Sequence, residues 1–433
     1  MILQHPLRRR STRIIQRDLR RRLRRGLRSD RKVLDGLFVL DLSAVLAGPS
    51  CSQFLAELGA DVIKIESARG GSGDVTRSWR LPVEARDGLD SSYFQCCNSG
   101  KRSVAVDISK AEGLALVQRL GAKAEVILAS YKPGDAKKLQ VDYESFKKIN
   151  PSVIYGQISG YGGEDPRSGF DAVIQAESGL QYMNGDPSGK PVKMPLAMVD
   201  LLTAHQLKEG VMTSLLHRER TGEGSFVEAD LMGSAVSSLA NQATGYLLRG
   251  IVPERMGSDH PSIVPYGTIF ECGDSKMIVF GVGADHQFQR LCEVLQIEDM
   301  SSDERFRTNR ARVLNRETCI SKLRDALSRV TDREVLLEKL KNLSVPAAGV
   351  NKMDEVFELN RASELVLRHE GSGEPYGLSQ IAFKTSLHDN NNKNSNKLLP
   401  PPKYGEHTTS VLSEVLNLSQ KEIDILREGN IIY

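Results

Sequence analysis

Short apolar runs alternate with amphipathic stretches from Leu37 to Ile158, and this alternation limits the fold more than any other feature of the chain. Leu37–Leu42 reads as a strand, Ser52–Leu58 as a helix after the turn Ala47-Gly48-Pro49, and Val62–Ile65 as a second strand. Arg102–Asp107 (strand), Ala111–Leu120 (helix), Glu125–Leu128 (strand), Tyr143–Lys148 (helix) and Val153–Ile158 (strand) continue the series. Strands separated by helices need crossover connections, so the pattern predicts a Rossmann-like, doubly wound parallel sheet of the α/β class.

Beyond residue 170 the pattern is richer in helix. Ala172–Gly179, Leu201–Arg218 and Leu231–Leu248 read as helices around one strand, Ser225–Ala229, which the turn Thr221-Gly222-Glu223-Gly224 introduces. A strand at Ile278–Val282 with helices at Asp285–Leu295, Arg316–Leu327 and Asp332–Leu340 predicts a smaller α+β domain. The expected organisation is therefore a basic segment over 1–32, a large α/β domain over 33–249 and the small α+β domain over 250–355. Residues 356–433 form a linker and a C-terminal return to the large domain. In this last part the polar run His388–Lys397 and Pro400-Pro401-Pro402 read as loop, and Thr408–Asn417 and Gln420–Arg427 as helices.

Charge separates the first segment from the rest. Residues 1–32 hold twelve arginines and Lys32 against Asp18 and Asp30, a net of +11, so residues 33–433 carry −8. Ile14, Ile15, Leu19, Leu23 and Leu27 recur at helical spacing among those arginines. An arginine-rich amphipathic helix poor in acid is the composition of a mitochondrial presequence and predicts a matrix location. A solvated basic tail and a nucleic-acid arm are the other readings; against the arm, the body is acidic and lacks interleaved basic and aromatic residues. No apolar run approaches the roughly 20 residues that cross a bilayer, and six cysteines without a CxxC pair suit buried thiols in a reduced compartment.

Several chemistries are excluded by spacing. The glycines of Gly70-Gly71-Ser72-Gly73-Asp74 follow the second strand rather than the first, and Glu66 precedes them, the reverse of a nicotinamide-binding fingerprint. GxxxxGK[ST] and GxSxG are absent. His205, His217, His260, His286, His369, His388 and His407 are scattered without HExxH or CxxC partners, so no metal site is expected.

Eight blocks occur in a telling order: Val39-Leu40-Asp41-Leu42; Ala47-Gly48-Pro49; Leu58 through Glu66; Gly73-Asp74; Asn98 through Ser103; Tyr131-Lys132-Pro133-Gly134; Ile158 through Gly162; and Ala197-Met198-Val199-Asp200. Together they resemble the signature blocks of family III CoA-transferases of the CaiB/BaiF type, from about residue 33 to the C-terminus. Three later blocks, Pro261 through Tyr266, Thr308 through Val313 and Pro400-Pro401-Pro402 with Gly405 through Thr408, are most similar to the mitochondrial succinate–hydroxymethylglutarate (glutarate) branch. The resemblance implies an interlocked homodimer, and catalysis by Asp200 through an aspartyl-CoA thioester. No permanently bound cofactor or metal is then needed, with the CoA thioester as substrate. Asp200 also stands directly before an apolar-periodic helix, where aspartate commonly caps. The resemblance further implies a CoA slot lined by Val45, Leu46, Ala47, Cys97, Asn98, Ser99, Gly100, Ser130, Tyr131 and Lys132, with Lys132, Lys138 and Arg69 as phosphate cations.

The implied reaction moves CoA from succinyl-CoA, or a similar acyl-CoA, to a dicarboxylic acid such as glutarate or 3-hydroxy-3-methylglutarate. Acyl-CoA racemases share the fold but carry a histidine base where this chain has Phe170, and a phenyl ring takes no proton. A catalytically silent CoA-binding protein would need no Asp200. Asp171 aligns with an acidic position that orients the acyl group. A dicarboxylate asks for a second cation, preferably a guanidinium, and Arg312, Arg77 and Arg102 are the candidates. The branch usually has Asn-Arg-x-Lys where this chain reads Asn98-Ser99-Gly100-Lys101, and Arg102 stands next to that departure. Neither nucleic acid nor a membrane is an expected partner.

Overall fold

The computed structural model describes residues 32–84, 90–386 and 398–433. The expected basic segment, apart from Lys32, and the whole run His388–Lys397 lie outside them.

The chain divides into two compact units. The first holds residues up to Phe170, Val199–Ser234 and Leu365–Tyr433; the second holds Asp171–Met198 and Ala235–Glu364. Compared with the expected boundaries, residues 171–198, 235–249 and 356–364 go with the second unit.

In chain order the first stretch runs β1 (Phe38–Leu42), α1 (Ala47–Glu57), β2 (Asp61–Ser67), β3 (Lys101–Val106), α2 (Ala111–Gly121), β4 (Val126–Ala129), α3 (Tyr143–Ile149) and β5 (Ile154–Ser159). After α4 (Asp171–Glu177) come α5 (Met198–Thr221) and β6 (Ser225–Asp230). The six strands form one sheet in the order β3-β2-β1-β4-β5-β6, and every neighbouring pair is parallel. This is the doubly wound arrangement that the alternation predicts. Strands β1 and β4 are buried along nearly their whole length because helices cover both faces, which is why they read as unbroken apolar runs. One face packs on α2 and the C-terminal helix Thr408–Leu416, with Val117, Leu120, Phe146, Val411 and Leu412 in a single core cluster. Edge strand β3 is closed by the chain's own end: Ile432 bridges Val106 and the Tyr433 amide donates to the Ala105 carbonyl at 3.2 Å.

Two helices begin earlier than their spelling suggests. Ala47-Gly48-Pro49 is the first turn of α1 rather than a separate turn, since proline there lacks only an amide that the helix would leave unpaired. Helix α5 starts at Met198, so Asp200 lies inside its first turn and is not the N-cap. The stretch Leu231–Leu248, expected as one helix, is broken into Leu231–Ser237 and Ala240–Arg249. Ala240 has φ +48°, a left-handed conformation that a right-handed helix does not pass through.

The second unit is built on a three-stranded antiparallel sheet, β7 (Tyr266–Glu271), β8 (Met277–Gly281) and β9 (Ala347–Gly349). Helices α6 (Asp285–Val294), α7 (Asn309–Leu314), α8 (Arg316–Leu327) and α9 (Arg333–Asn342) pack their apolar faces into a separate core around Phe280, Phe288, Leu291, Leu323 and Leu340.

Candidate active site

In a doubly wound sheet the crevice lies at the carboxyl ends of the strands, where the strand order reverses. Here that point is between β1 and β4. The loop after β1, Ser43–Leu46, and the loop after β4, Ser130–Gly134, meet there: the Ala44 amide donates to Ser130 Oγ at 3.0 Å. This bond ties the loop that carries Val45 and Leu46 to the one that carries Tyr131 and Lys132. Gln157 of β5 donates to the Tyr131 carbonyl at 3.0 Å, and burial pushes the Tyr131 hydroxyl up to about 12. A cavity of about 330 Å³ opens beside this second loop, lined by Tyr131, Lys132, Lys137, Tyr143, Gln157 and Phe226 among others.

Helix α5 connects two parallel strands and so runs back antiparallel to them, its N-terminus at the carboxyl edge of the sheet. A side chain at Gly156 would meet Leu207 and Val211, and one at Gly210 would meet Val227, which fixes the middle of α5 over β5 and β6. Asp200 lies about 10 Å towards the N-terminus from Leu207 at helical rise, and only 9% of its surface is exposed. Asp200 is the acidic residue in the first turn of α5. At the end of β5, Gly160 and Gly169 touch so closely that a Cβ on Gly160 would lie 2.5 Å from the Gly169 backbone. That contact folds the loop Ser159–Gly169 back on itself. Asp171 opens α4 in the second unit, is 8% exposed, and accepts from Gln175 Nε2 at 2.7 Å.

The other expected slot residues differ in how open they are. Cys97, Asn98 and Ser99 are enclosed rather than lining an open slot. Cys97 reaches the crevice only through Sγ, 3.6 Å from the Val45 carbonyl, while Asn98 is spent on the Phe94 carbonyl and on Lys101. Gly100 takes φ +76° against Leu398 and Ala56. Arg69 and Lys138 are exposed, Lys138 beside Asp135 at 3.1 Å. Cys96, expected among buried thiols, is exposed.

The three arginine candidates for a substrate carboxylate are each paired with carboxylates of the protein itself. Arg312 is 0% exposed, donates to the Val264 and Phe306 carbonyls at 2.7 and 2.9 Å, pairs with Asp285 at 3.0 Å and stacks on Phe288. It is a pillar of the second unit's core. Arg77 grips Glu66, pairs with Asp90 and lies 3.7 Å over the Phe94 ring. Arg102 pairs with Asp61 and Glu414 at the amino edge of the sheet, the end opposite the crevice.

What sequence reasoning missed is the buried ionic network that the signature blocks build. Asp41 accepts from Ser43, Ser52 and Lys101 Nζ, the last at 3.1 Å. Lys64 pairs with Asp74 at 2.9 Å and donates to the Ser43 carbonyl at 2.8 Å. Asp74 accepts the amide and hydroxyl of Thr76, and its own amide donates to Glu66 at 2.8 Å. Burial alone would raise these carboxylates, but the neighbouring cations outweigh it: Lys101 and Lys64 hold Asp41 down to about 2, and Glu66 and Asp74 are also lowered. Lys64 is raised, because Asp74, Asp41 and Glu66 outweigh its desolvation. The signal was present in β2, where Lys64 and Glu66 share one face of an otherwise apolar strand and so had to be paired.

Among the described residues there is no cluster of three side chains able to hold a metal, and no helix long and apolar enough to cross a membrane. Residues 34–408 match CoA-transferase family III. A succinate–glutarate CoA-transferase of Agrobacterium fabrum is 36% identical over 401 residues, spanning 88% of this chain and 95% of the relative. A human succinyl-CoA:glutarate CoA-transferase is 33% identical, spanning 93% of this chain and 90% of the relative. The crystal structure of a CaiB/BaiF family protein from Brucella suis aligns with a TM-score of 0.76 at 35% identity, covering 89% of this chain and 100% of that one. With a match over most of its length and a doubly wound parallel sheet, the chain belongs to CoA-transferase family III and is an enzyme of the CoA-transferring class.

Proposed function

We propose that this enzyme transfers CoA from succinyl-CoA to a dicarboxylic acid such as glutarate or 3-hydroxy-3-methylglutarate, with Asp200 as the nucleophile. The observation that carries the reading is the 36% identity, over nearly the whole length of both chains, with a succinate–glutarate CoA-transferase. The position of Asp200 at the carboxyl edge of the sheet, in the first turn of α5, supports its role.

The Asp200 carboxylate attacks the thioester carbonyl and expels CoA thiolate, giving a mixed succinyl–aspartyl anhydride. The thiolate then attacks the aspartyl carbonyl, releasing succinate and leaving CoA on Asp200 as a thioester. The acceptor carboxylate attacks that thioester, forming a second anhydride and expelling the thiolate again. Attack of the thiolate on the acceptor's acyl carbon yields the new acyl-CoA and restores Asp200. Each bond broken has a counterpart formed, so the cycle consumes no proton and needs no oxidant or metal.

A homodimer of interlocked chains and a matrix location directed by residues 1–32 complete the reading. The racemase alternative finds no base at position 170, where an exposed phenyl ring stands. The test is to incubate the protein with succinyl-CoA and either glutarate, 3-hydroxy-3-methylglutarate or butyrate, and to separate the acyl-CoA products. Glutaryl-CoA or the hydroxymethylglutaryl thioester formed by wild type supports the proposal. Hydrolysis alone, or transfer to butyrate alone, refutes it.

A further inference from the structure

Val45 has φ +72°, a left-handed conformation that a β-branched side chain rarely adopts. Such a residue persists only where its surroundings over-determine it, and the surroundings here are specific. Its amide donates to Asp74 Oδ2 at 3.3 Å, and its carbonyl accepts from Cys97 Sγ at 3.6 Å. The preceding amide, of Ala44, is held by Ser130 Oγ at 3.0 Å, and the Ser43 carbonyl by Lys64 Nζ at 2.8 Å. Asp74 is in turn fixed by Lys64 and Thr76, with its side chain 1% exposed. Gly73 makes this approach possible: it takes φ +64°, and a Cβ there would fall 2.5 Å from Glu66 Oε2. The loop after β1 is therefore tied on one side to the segment after β2 and on the other to the segment after β4.

We infer that Asp74, Lys64 and Ser130 are positioning residues for CoA binding, holding the loop Ser43–Leu46 in the strained backbone form that the CoA thioester meets at the crevice. The inference deepens the proposed function and rests on that reading of the crevice. None of the three need touch CoA; Lys64 acts through the Ser43 carbonyl, Ser130 through the Ala44 amide and Asp74 through the Val45 amide. A loop freed from them relaxes Val45 to negative φ, and the bound form must then be restored at the expense of CoA affinity.

The experiment uses the full chain. The Kd for free CoA is measured by calorimetry, the KM for succinyl-CoA and for glutarate by kinetics, and hydrogen exchange is followed at the Val45 amide. For Asp74→Asn, loss of the charged acceptor is expected to weaken CoA binding and raise the succinyl-CoA KM about ten- to a hundredfold. The glutarate KM stays within about twofold, and the Val45 amide exchanges faster. Ser130→Ala, which removes only a neutral acceptor, is expected to weaken CoA about three- to tenfold and decides the matter if Asp74→Asn does not fold. Folded variants that bind CoA as wild type does, or that raise the KM of both substrates equally, overturn the positioning role. A wild-type protein that binds no CoA removes the proposed function, and this inference with it.

Discussion

Arg77 grips Glu66 through two hydrogen bonds, Nε to Oε2 at 2.8 Å and Nη2 to Oε1 at 2.7 Å, where neither side chain has more than 6% of its surface exposed. Ser103 Oγ donates to the same carboxylate at 2.6 Å, so Glu66 joins β2, β3 and the segment after β2. Removing one partner of such a pair leaves a buried, unmatched charge. Arg77→Ala should therefore lower the unfolding free energy by about 3–5 kcal/mol, read by urea denaturation. Arg77→Lys should recover only part of it, since an ammonium cannot form the paired contact. A loss below about 1 kcal/mol for Arg77→Ala would show that the network is dispensable.

Arg312 gives a different outcome from the one its sequence context suggests. Its guanidinium supports the Val264 and Phe306 carbonyls inside the second unit, so Arg312→Gln should act on stability, at about 1–3 kcal/mol for each buried carbonyl left unpaired. Kinetics of the remaining folded enzyme with succinate and butyrate should change by the same factor, or not at all. A selective rise in the KM for succinate would return Arg312 to the substrate site.

The carboxylates of the network make stability depend on acid. Asp41, Glu66 and Asp74 are all lowered in the folded protein, Asp41 to about 2, because nearby cations outweigh the effect of burial. A carboxylate lowered on folding contributes its full stability above its unfolded pKa, near 4, and loses it as pH falls through its folded value. The urea midpoint should therefore hold steady down to about pH 4.5 and fall steeply from about pH 4 towards 2. Asp41→Asn should be less stable at neutral pH and show a shallower acid fall. A midpoint independent of pH below 4 would contradict the paired state of these groups.

Residues 1–31 precede the first described residue, Lys32, whose carbonyl accepts the Asp35 amide at 3.1 Å. A protein starting at Lys32 should keep its stability and its transfer rate within about twofold, while isolated mitochondria should import only the full chain. Import of the shortened protein would dismiss the targeting role of the basic segment.

The sheet was legible because its strands carry short apolar runs, unbroken in β4, between helical stretches, and crossover chemistry leaves few ways to join such runs. The start of α1 was not, since Gly48-Pro49 spells a turn unless proline's tolerance in a first helical turn is weighed. The crevice loops were legible as blocks, but their ties were not: the contacts of Ser130 with Ala44 and of Asp74 with Val45 join residues 86 and 29 positions apart. Arg312 was misread for a related reason. A guanidinium fits a carboxylate wherever it points, and nothing in Thr308 through Val313 says that this one points into a core of Phe288 and Cys292. Lys64 and Glu66 were the clearest unread signal, two charges on one face of a strand too apolar to be solvated.

The proposed cycle requires CoA to become covalently attached to Asp200. The direct measurement is peptide mass spectrometry of the protein quenched after incubation with succinyl-CoA and no acceptor. The peptide containing Asp200 should carry CoA in thioester linkage, should lose it when glutarate is added, and should yield a hydroxamate at Asp200 when hydroxylamine replaces the acid. Asp200→Ala, still folded and still binding CoA, should carry no adduct and retain less than about a hundredth of the transfer rate. CoA found on another residue, or transfer by Asp200→Ala at near the wild-type rate, would contradict it.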